Sequence, residues 1–205
     1  MPRITDRFFY HGAPCSIDTF DYAFTGHGND ELGAGFYFTT DKAGAIGYTE
    51  QNKVTKLAGL PLMPTLHKVR LKLENPLGSE LIGGLTHSQA KAILQKHPNL
   101  EEKMWDFYDL GSMSLEKAVN NAATLCSQFQ RATLISRINT LAYTFYGNEN
   151  IRELNQALKE VLGYDGVLHT EGKNYVAVAW FPEQIEVVQR IKYQQNKLDD
   201  EGPNP

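Results

Sequence analysis

Two short aromatic segments near the start of the chain carry residues that can do chemistry. The first, FFYHGAP, contains His11 directly after three aromatic residues, and the second, GAGFYFTTD, contains Tyr37 after two closely spaced glycines. A further tyrosine, Tyr48, follows Tyr37 by eleven residues. An imidazole can both donate and accept hydrogen bonds, and tyrosine rings stack on flat aromatic groups. Taken together and in this order, the three residues indicate a binding site.

Each of these residues also has an ordinary structural explanation when it is taken alone. A single histidine such as His11 is more often a hydrogen-bonded structural residue, and Tyr37 in its FYF run could pack in the core. Tyr48 could be a half-buried helix residue, and Gly33 and Gly35 could simply form turns. Only the joint order of the residues favours a site.

The bulk composition predicts a globular protein of ordinary size. The chain has 205 residues, of which 41% are hydrophobic and 21% are charged, and this fits one domain with a packed core. The net charge of −4 predicts no long-range attraction to nucleic acid, although that sum leaves room for a local basic patch.

Several classes of protein are disfavoured by the sequence. Cys15 and Cys126 show no CxxC or Cys/His spacing, so no zinc or other metal site is expected. No run approaches the ~20 apolar residues of a membrane helix, and the N-terminus lacks the apolar core of a signal peptide. Two thiols in a chain of this size indicate a reducing compartment. We therefore expect a cytoplasmic protein without membrane contact; delivery into another cell without a signal would leave the same pattern.

The elements that must position the candidate residues are strands at both ends of the chain. Short aromatic or alternating apolar segments, bounded by turn residues, predict these strands. They are residues 7–10, 36–40, 65–77, 164–169 and 175–181. Asp41 can cap a short helix over 41–51, between the second and third strands. Because the strands do not alternate regularly with helices, we expect an α+β fold.

The middle of the chain, about residues 86–162, has helical periodicity. Apolar residues recur at helical spacing over 114–147, with one break expected, and over 150–163, which ends at a glycine. We expect one domain over 1–195 with this helical segment as an insertion, followed by a flexible tail over 196–205.

The strand-borne features resemble the ADP-ribosyltransferase superfamily, in its diphtheria-toxin and poly(ADP-ribose)-polymerase (His-Tyr-Glu) branch. The features that carry the resemblance are His11-Gly12, the GAGFYF segment around Tyr37, and Tyr48. The ending, GYDGVL followed by YVAVAWFPEQI, is similar to the closing strands of phage-borne and mobile-element members. The resemblance covers the two ends of the chain and leaves the helical middle unmatched.

This resemblance implies a fold, a substrate and a role for each residue. The fold would be a split β-sandwich of two small antiparallel sheets around a cleft for NAD, which is the substrate. His11 would hold the ribose next to the adenine, and the backbone of Gly12 would grip the nicotinamide carboxamide, where a side chain would block the approach. Tyr37 and Tyr48 would stack on the nicotinamide ring, and Gly35 would turn the backbone tightly beside the ligand.

The resemblance fails at the third element of the family pattern, a glutamate on the last apolar strand. Depending on the register, its place is taken by Asn174 or Val176. The nearest carboxylate is Glu171 in the turn TEGKN, and it is either a catalytic residue or a solvated turn charge. Glu183 is expected to be structural. Family members that lack the glutamate transfer a single ADP-ribose, sometimes with the acceptor's own carboxylate as base.

The resemblance therefore implies a mono-ADP-ribosyltransferase that modifies a macromolecular acceptor, with protein favoured over nucleic acid. A toxin or effector role is implied, with a possible neutralising partner protein on the helical segment. The alternatives are a non-catalytic module that binds NAD or ADP-ribose, and a nucleic-acid ADP-ribosyltransferase. The segment HKVRLKL bears on that last alternative, because its three cations are either a solvated face or a contact for phosphates. His169 could face the cleft, although a surface role is favoured.

Overall fold

The described part of the chain contains seven strands, which form one sheet. The computed structural model describes residues 7–25, 31–50, 59, 61–128 and 133–193. The strands are β1 (Phe9–Ala13), β2 (Phe36–Thr39), β3 (Thr65–Leu71), β4 (Leu77–Gly78), β5 (Gly166–Glu171), β6 (Asn174–Ala179) and β7 (Ile185–Lys192). Their order across the sheet is β4-β5-β6-β2-β1-β3-β7. All neighbours are antiparallel except β4 and β5. The tail predicted over 196–205 lies outside the described residues.

The join between β1 and β2 is the weakest in the sheet. These strands share the single register pair Tyr10–Thr39, whereas β1 pairs with β3 from Phe9 to Ala13 and β2 pairs with β6 over its whole length. The two separate sheets expected from the resemblance are therefore one sheet with a narrow join. Beyond Tyr10, the described residues of β1 and β2 share no further register pair, and the side chain of His11 takes the place of the backbone ladder.

Helices follow the predicted pattern, with one break in the long segment. They are α1 (Lys42–Gly47), α2 (His87–Leu94), α3 (Leu100–Phe107), α4 (Leu115–Ser127), α5 (Leu134–Leu141) and α6 (Ile151–Leu162). Thr86 caps α2 in a reciprocal arrangement with Gln89. Gly163 ends α6 with φ +80°, a left-handed conformation that favours glycine. No helix in the described ranges is long and apolar enough to cross a membrane.

The two faces of the sheet carry different cores. Helices α2–α6, here called the helical block, pack on the face that carries Tyr37, Val167 and Val178, and we name it the helix face. The opposite face carries Phe9, Phe36 and Phe38 with the loop residue Phe20, and we name it the aromatic face. Because side chains alternate along a strand, the face of each site residue follows from the register.

Asp165, in the GYDG motif, holds the start of the loop between β3 and β4. Its carboxylate accepts hydrogen bonds from the backbone N–H of Glu74 at 2.7 Å and of Asn75 at 3.0 Å. The side-chain amide of Gln184 donates to the Asp165 carbonyl at 2.8 Å. Asp165 and Gln184 are both buried, so these bonds satisfy groups that water does not reach.

Gln184 and Asn155 extend this buried network to the end of β6 and the glycine turn. The Gln184 carbonyl oxygen accepts from the backbone N–H of Trp180 and Phe181 at 3.1 and 2.9 Å. Asn155 of α6 donates to the carbonyls of Ala34 and Trp180, each at 3.3 Å. The helical block is thereby tied to the segment that precedes Tyr37.

Candidate functional site

His11 bridges the opening between β1 and β2. Its Nδ1–H donates to the backbone carbonyl of Tyr37 at 2.8 Å, so the imidazole takes over a bond that would otherwise continue the ladder. The half-buried ring lies on the aromatic face, 5.3 Å from the ring centre of Phe20 and 5.6 Å from that of Phe38. With Nδ1 used as the donor, Nε2 is a hydrogen-bond acceptor, and it has no partner among the described residues.

The surroundings of His11 keep its imidazole neutral at pH 7. Burial lowers the pKa of His11, and the hydrogen bond to the Tyr37 carbonyl offsets only part of that effect. A neutral ring with Nδ1 protonated presents the lone pair of Nε2. Such a group accepts a hydrogen bond from a hydroxyl and suits the ribose-holding role that the resemblance implies.

His67 supports His11 from the neighbouring strand, a role that sequence reasoning missed. The two residues are direct partners across β1 and β3. His67 accepts from the backbone N–H of Ile17 through Nε2 at 3.0 Å and donates from Nδ1 to the His11 carbonyl at 3.3 Å. Burial, together with the nearby His11, lowers the pKa of His67 to about 4. The sequence signal for this role was the position of His67 in the alternating pattern of β3, where it falls on the buried side with Thr65 and Val69.

Gly12 is required by helix packing, which differs from the reason expected. A Cβ atom at Gly12 would lie 1.8 Å from the backbone oxygen of Ala45 in α1 and 3.3 Å from a methyl of Thr49. The side-chain position of Gly12 is thus filled by α1 and does not open toward a ligand. The predicted grip of its backbone on a carboxamide remains a prediction, supported by the absence of a β2 partner beyond Tyr10 in the described sheet.

Tyr37 lies on the helix face, with its ring packed against the helical block. Its hydroxyl donates to the Gly33 carbonyl at 2.7 Å and accepts from the Leu32 backbone N–H at 3.1 Å. Gly33 has φ +93°, a backbone conformation that residues other than glycine rarely adopt. A Cβ at Gly35 would lie 2.7 Å from the Ala179 carbonyl oxygen, so this glycine permits close approach of β6. Tyr37 therefore shapes the turn as well as offering a ring.

Tyr48 offers the most accessible aromatic ring of the candidate set. It follows α1 in the 3-10 turn Tyr48–Glu50, and its side chain is 57% exposed. Because α1 covers Gly12, Tyr48 stands on the same face of the sheet as Tyr37. The structure thus places these four residues at the join of β1 and β2, with Gly12, Tyr37 and Tyr48 on the helix face and the His11 ring on the aromatic face.

Glu171 does not join this group. It ends β5 at the hairpin tip, opposite Asn174, and it is exposed. Its side chain shares the helix face with Tyr37, but Tyr37 pairs with Val178, four residues further along β6. At 3.3 Å a residue, that separation is ~13 Å. Asn174 and Val176, the two candidate positions for the missing glutamate, lie on this face and carry no charge.

His169 lies closer than Glu171 to one of those two positions. It pairs directly with Val176 across β5 and β6, so its imidazole is on the helix face. Its Nδ1 is 2.7 Å from the Ser79 hydroxyl and 3.5 Å from a carboxylate oxygen of Glu80. This cluster brings an imidazole and a carboxylate next to Val176, one of the two positions at which the resemblance predicts an acid.

Other candidates contribute less. Glu183 follows β6 at the end away from Glu171, where burial and, to a smaller extent, the charge of Glu183 raise the pKa of Tyr22. Burial raises the pKa of the Cys15 thiol, which disfavours the nucleophilic thiolate, and raises that of Cys126 to about 11. Both cysteines are free. Within the described ranges, no group of three His, Cys, Asp or Glu side chains could hold a metal ion.

The comparison with protein families identifies the class of this chain. The model of the family "ADP-Ribosyltransferase in polyvalent proteins" matches residues 6–191, so the chain belongs to that family. The superfamily predicted from the sequence and the α+β fold of the ADP-ribosyltransferase type are confirmed. Enzymes of this family use NAD as the substrate. Comparisons with curated proteins and with solved structures gave no match.

Proposed function

We propose that the protein is a mono-ADP-ribosyltransferase that moves ADP-ribose from NAD to a macromolecular acceptor. The observation that carries this proposal is the hydrogen bond from His11 Nδ1 to the Tyr37 carbonyl. It fixes the imidazole tautomer and leaves Nε2 facing no protein partner within the described chain. The exposed ring of Tyr48 and the opening beside Gly12 complete a site for a nucleotide with a flat leaving group.

The proposed reaction is a displacement at the nicotinamide ribose. A nucleophilic atom of the acceptor forms a bond to the ribose carbon as the bond from that carbon to the nicotinamide nitrogen breaks. Neutral nicotinamide leaves, and the acceptor's proton passes to a base or to water. Such a reaction depends mainly on holding the ribose and the ring in a fixed orientation, which is the work assigned to His11, Gly12, Tyr37 and Tyr48.

The base in this reaction must come from outside the two strand positions that the resemblance offers for an acid. Neither Asn174 nor Val176 can accept a proton, and this supports transfer of one ADP-ribose over chain elongation. Two carboxylates of this chain remain candidates: Glu171 at the hairpin tip, and Glu80, which lies 3.5 Å from His169. A carboxylate of the acceptor itself is the third.

Release of nicotinamide from NAD by the purified protein, with and without cell lysate, tests the proposal. We expect release that depends on lysate, and its loss by at least ~100-fold in His11→Ala and Tyr48→Ala, because both remove orientation of the ligand. Tyr193→Ala, which changes a tyrosine that is 37% exposed at the end of β7, is the matched control. Equal rates in Tyr48→Ala and Tyr193→Ala would contradict the assigned role of Tyr48, and no release under any condition would contradict the transferase.

Conservative variants separate the candidate bases. Glu171→Gln and Glu80→Gln each remove one charge from an exposed side chain, so folding should be unchanged. If one of them is the base, its variant loses ~100-fold in lysate-dependent transfer and the other does not. If both keep full transfer, the proton passes to a carboxylate of the acceptor or to water.

A second candidate function is a module that binds NAD or ADP-ribose without catalysis. The lack of an acidic residue at Asn174 and Val176 favours it. Calorimetric titration with NAD distinguishes the two: binding that needs His11, together with no nicotinamide release in lysate, would establish the module and exclude the enzyme.

The helical block is proposed to choose the acceptor or to receive a neutralising partner. It exposes aromatic side chains of Trp105, Phe107 and Tyr143, at 53%, 48% and 63%. Removing the whole block is a poor test, because Val167 and Val178 of the sheet pack in its core. We expect Trp105→Ala to lower target modification while the affinity for NAD, measured by calorimetric titration, stays unchanged. Equal target modification would contradict a role for this surface.

A further inference from the structure

One side of β3 carries a line of cations flanked by aromatic rings. Lys68, Arg70 and Lys72 alternate along the strand and just past its end, and their side chains turn away from the buried aromatic face. Phe8 and Tyr10, at the start of β1, lie on the same side and are half-buried. We name these five residues the β3 stripe. The net charge of −4 for the chain conceals this local excess of positive charge.

The β3 stripe holds two of its cations over one ring. Lys68 Nζ lies 3.7 Å from the centre of the Phe8 ring, and the guanidinium carbon of Arg70 lies 5.0 Å from it. Cation–π attraction fixes both positive groups side by side, although like charges repel. Such a fixed pair of donors is arranged to meet a group with several negative oxygens.

Little of this charge is neutralised within the described part of the chain. Arg70 faces Glu186 of β7 at 3.8 Å, and both side chains are about half exposed, so water screens the pair. Lys68 and Lys72 form no ion pair with any described residue. The β3 stripe therefore presents two uncompensated cations and a third that is weakly paired.

The β3 stripe adjoins the candidate site. Tyr10 pairs with Lys68 on one side and with Thr39 on the other, so all three side chains lie on the same side of the sheet as Tyr37. Neighbouring strands are ~4.8 Å apart, which puts Lys68 ~10 Å from Thr39 across the sheet. A chain molecule bound along β3 would thus pass beside the join of β1 and β2.

We propose that the β3 stripe binds the phosphate backbone of a single nucleic acid strand. A line of cations beside an aromatic ring suits such a strand, because phosphates meet the cations and an unpaired base can stack on the neighbouring ring, here that of Tyr10. Phe8 carries Lys68 and Arg70 on its ring, so the ring left for a base is that of Tyr10, which an acidic protein partner would not require. That the bound strand is the acceptor of ADP-ribose rests on the proposed function; that it binds does not. This acceptor class differs from the protein acceptor that the net charge favoured.

Fluorescence anisotropy of a labelled oligothymidylate of about 16 nucleotides, titrated with the full chain at several salt concentrations, tests the proposal. The variant Lys68→Gln/Arg70→Gln/Lys72→Gln removes the three cations. The matched control is Lys117→Gln/Arg152→Gln/Lys159→Gln, which removes two lysines and one arginine from exposed positions of the helical block. A third variant, Lys68→Arg/Lys72→Arg, preserves the charge.

We expect the stripe variant to lose at least ~10-fold in affinity. Its slope of log K against log salt should become shallower by about 2, since each of the three lost phosphate contacts contributes about 0.7 for a single strand. The control and the charge-preserving variant should bind like the original protein. Equal binding by the stripe and control variants would overturn the proposal. So would full competition by free NAD, which would make the stripe a pyrophosphate site, or by a glutamate-rich peptide, which would make it a protein contact. Because no NAD turnover is measured, failure here leaves the nicotinamide-release test of the enzyme unaffected.

Discussion

The Asp165–Gln184 network and the opening at His11 both use side chains to replace backbone hydrogen bonds, but they are completed differently. In the network, the carboxylate of Asp165 and both ends of the Gln184 amide are bound by protein groups. At the opening, His11 binds the Tyr37 carbonyl through one nitrogen and keeps the other without a partner among the described residues. Tyr48 nearby leaves most of its ring in solvent.

This difference separates residues that stabilise the fold from residues that can bind a ligand. A buried polar group that is fully bonded contributes to folding and has no capacity left for chemistry. A group bonded on one side only is oriented by the fold and still has a free acceptor. By this criterion the GYDG and PEQI motifs are structural, although they were among the strongest signs of family membership.

The largest effect on stability is expected from Asp165→Ala, which removes the carboxylate of the Asp165–Gln184 network. The backbone N–H groups of Glu74 and Asn75 lose a charged acceptor, and the Gln184 amide loses its longer bond to the carboxylate, at 3.3 Å, while its bond to the Asp165 carbonyl remains. We expect the free energy of unfolding to fall by about 4 kcal/mol. Urea unfolding followed by circular dichroism measures it. Glu171→Ala is the control, because it removes an acidic side chain that is exposed at the hairpin tip. It should change the free energy of unfolding by less than about 0.5 kcal/mol. Similar losses in both variants would mean that the network is not what holds this end of the sheet.

The free energy of unfolding should depend on pH through His67, which lies on β3 directly opposite His11. Its pKa is about 4 in the folded protein against 6.5 for the free side chain. Above pH 6.5 the group is neutral in both states and has no effect. Between pH 6.5 and 4 only the unfolded chain takes up the proton, so stability falls as pH falls, by about 3 kcal/mol in total, and levels off below pH 4.

Urea unfolding at a series of pH values, on the original protein and on His67→Gln, isolates this contribution. The variant should lose less stability over that pH window. His87→Gln, which removes an exposed histidine, is the control and should keep the original pH dependence. If the His67 variant also keeps it, another group is responsible.

An intermediate effect is expected from Asn155→Leu, which cuts the link between the two regions. The carbonyls of Ala34 and Trp180 lose a shared hydrogen-bond donor at a buried position. We expect the free energy of unfolding to fall by about 2 kcal/mol. Because Ala34 precedes Tyr37 in the glycine turn, nicotinamide release should also need more NAD for half-maximal rate. Gln156→Leu, on the exposed side of the same helix, should change neither quantity. An unaltered NAD dependence in Asn155→Leu would show that the turn holds its shape without α6.

The smallest effect is expected from Tyr37→Phe, which keeps the ring and removes the hydroxyl. The Gly33 carbonyl and the Leu32 N–H lose one partner each at a half-buried position, and we expect a loss of about 1 kcal/mol. Nicotinamide release should fall less than in Tyr37→Ala, because the stacking surface remains. Equal rates for the two variants would place the contribution of Tyr37 in its hydroxyl.

The sequence predicted the elements better than the contacts between them. Alternation identified β3 and helical spacing identified α6, because both signals are local. The pairing of His67 with His11 and the bonds of Asp165 to Glu74 and Asn75 join distant parts of the chain, and no local pattern encodes them. Gly12 was expected to leave room for a ligand, but the group that fills its side-chain position is the backbone of Ala45, which only the packing of α1 reveals.

The parallel pairing of β4 with β5 brings the two ends of the helical block together. The chain leaves the sheet at Gly78 and returns at Gly166, and these strands lie side by side, with Leu77 opposite Val167. The two chain ends of the excursion therefore meet at one place on the sheet, whereas its packing spreads over the helix face. A different set of helices could be exchanged at that point during evolution without altering the register of the other five strands, provided that the new set again covers Val167 and Val178.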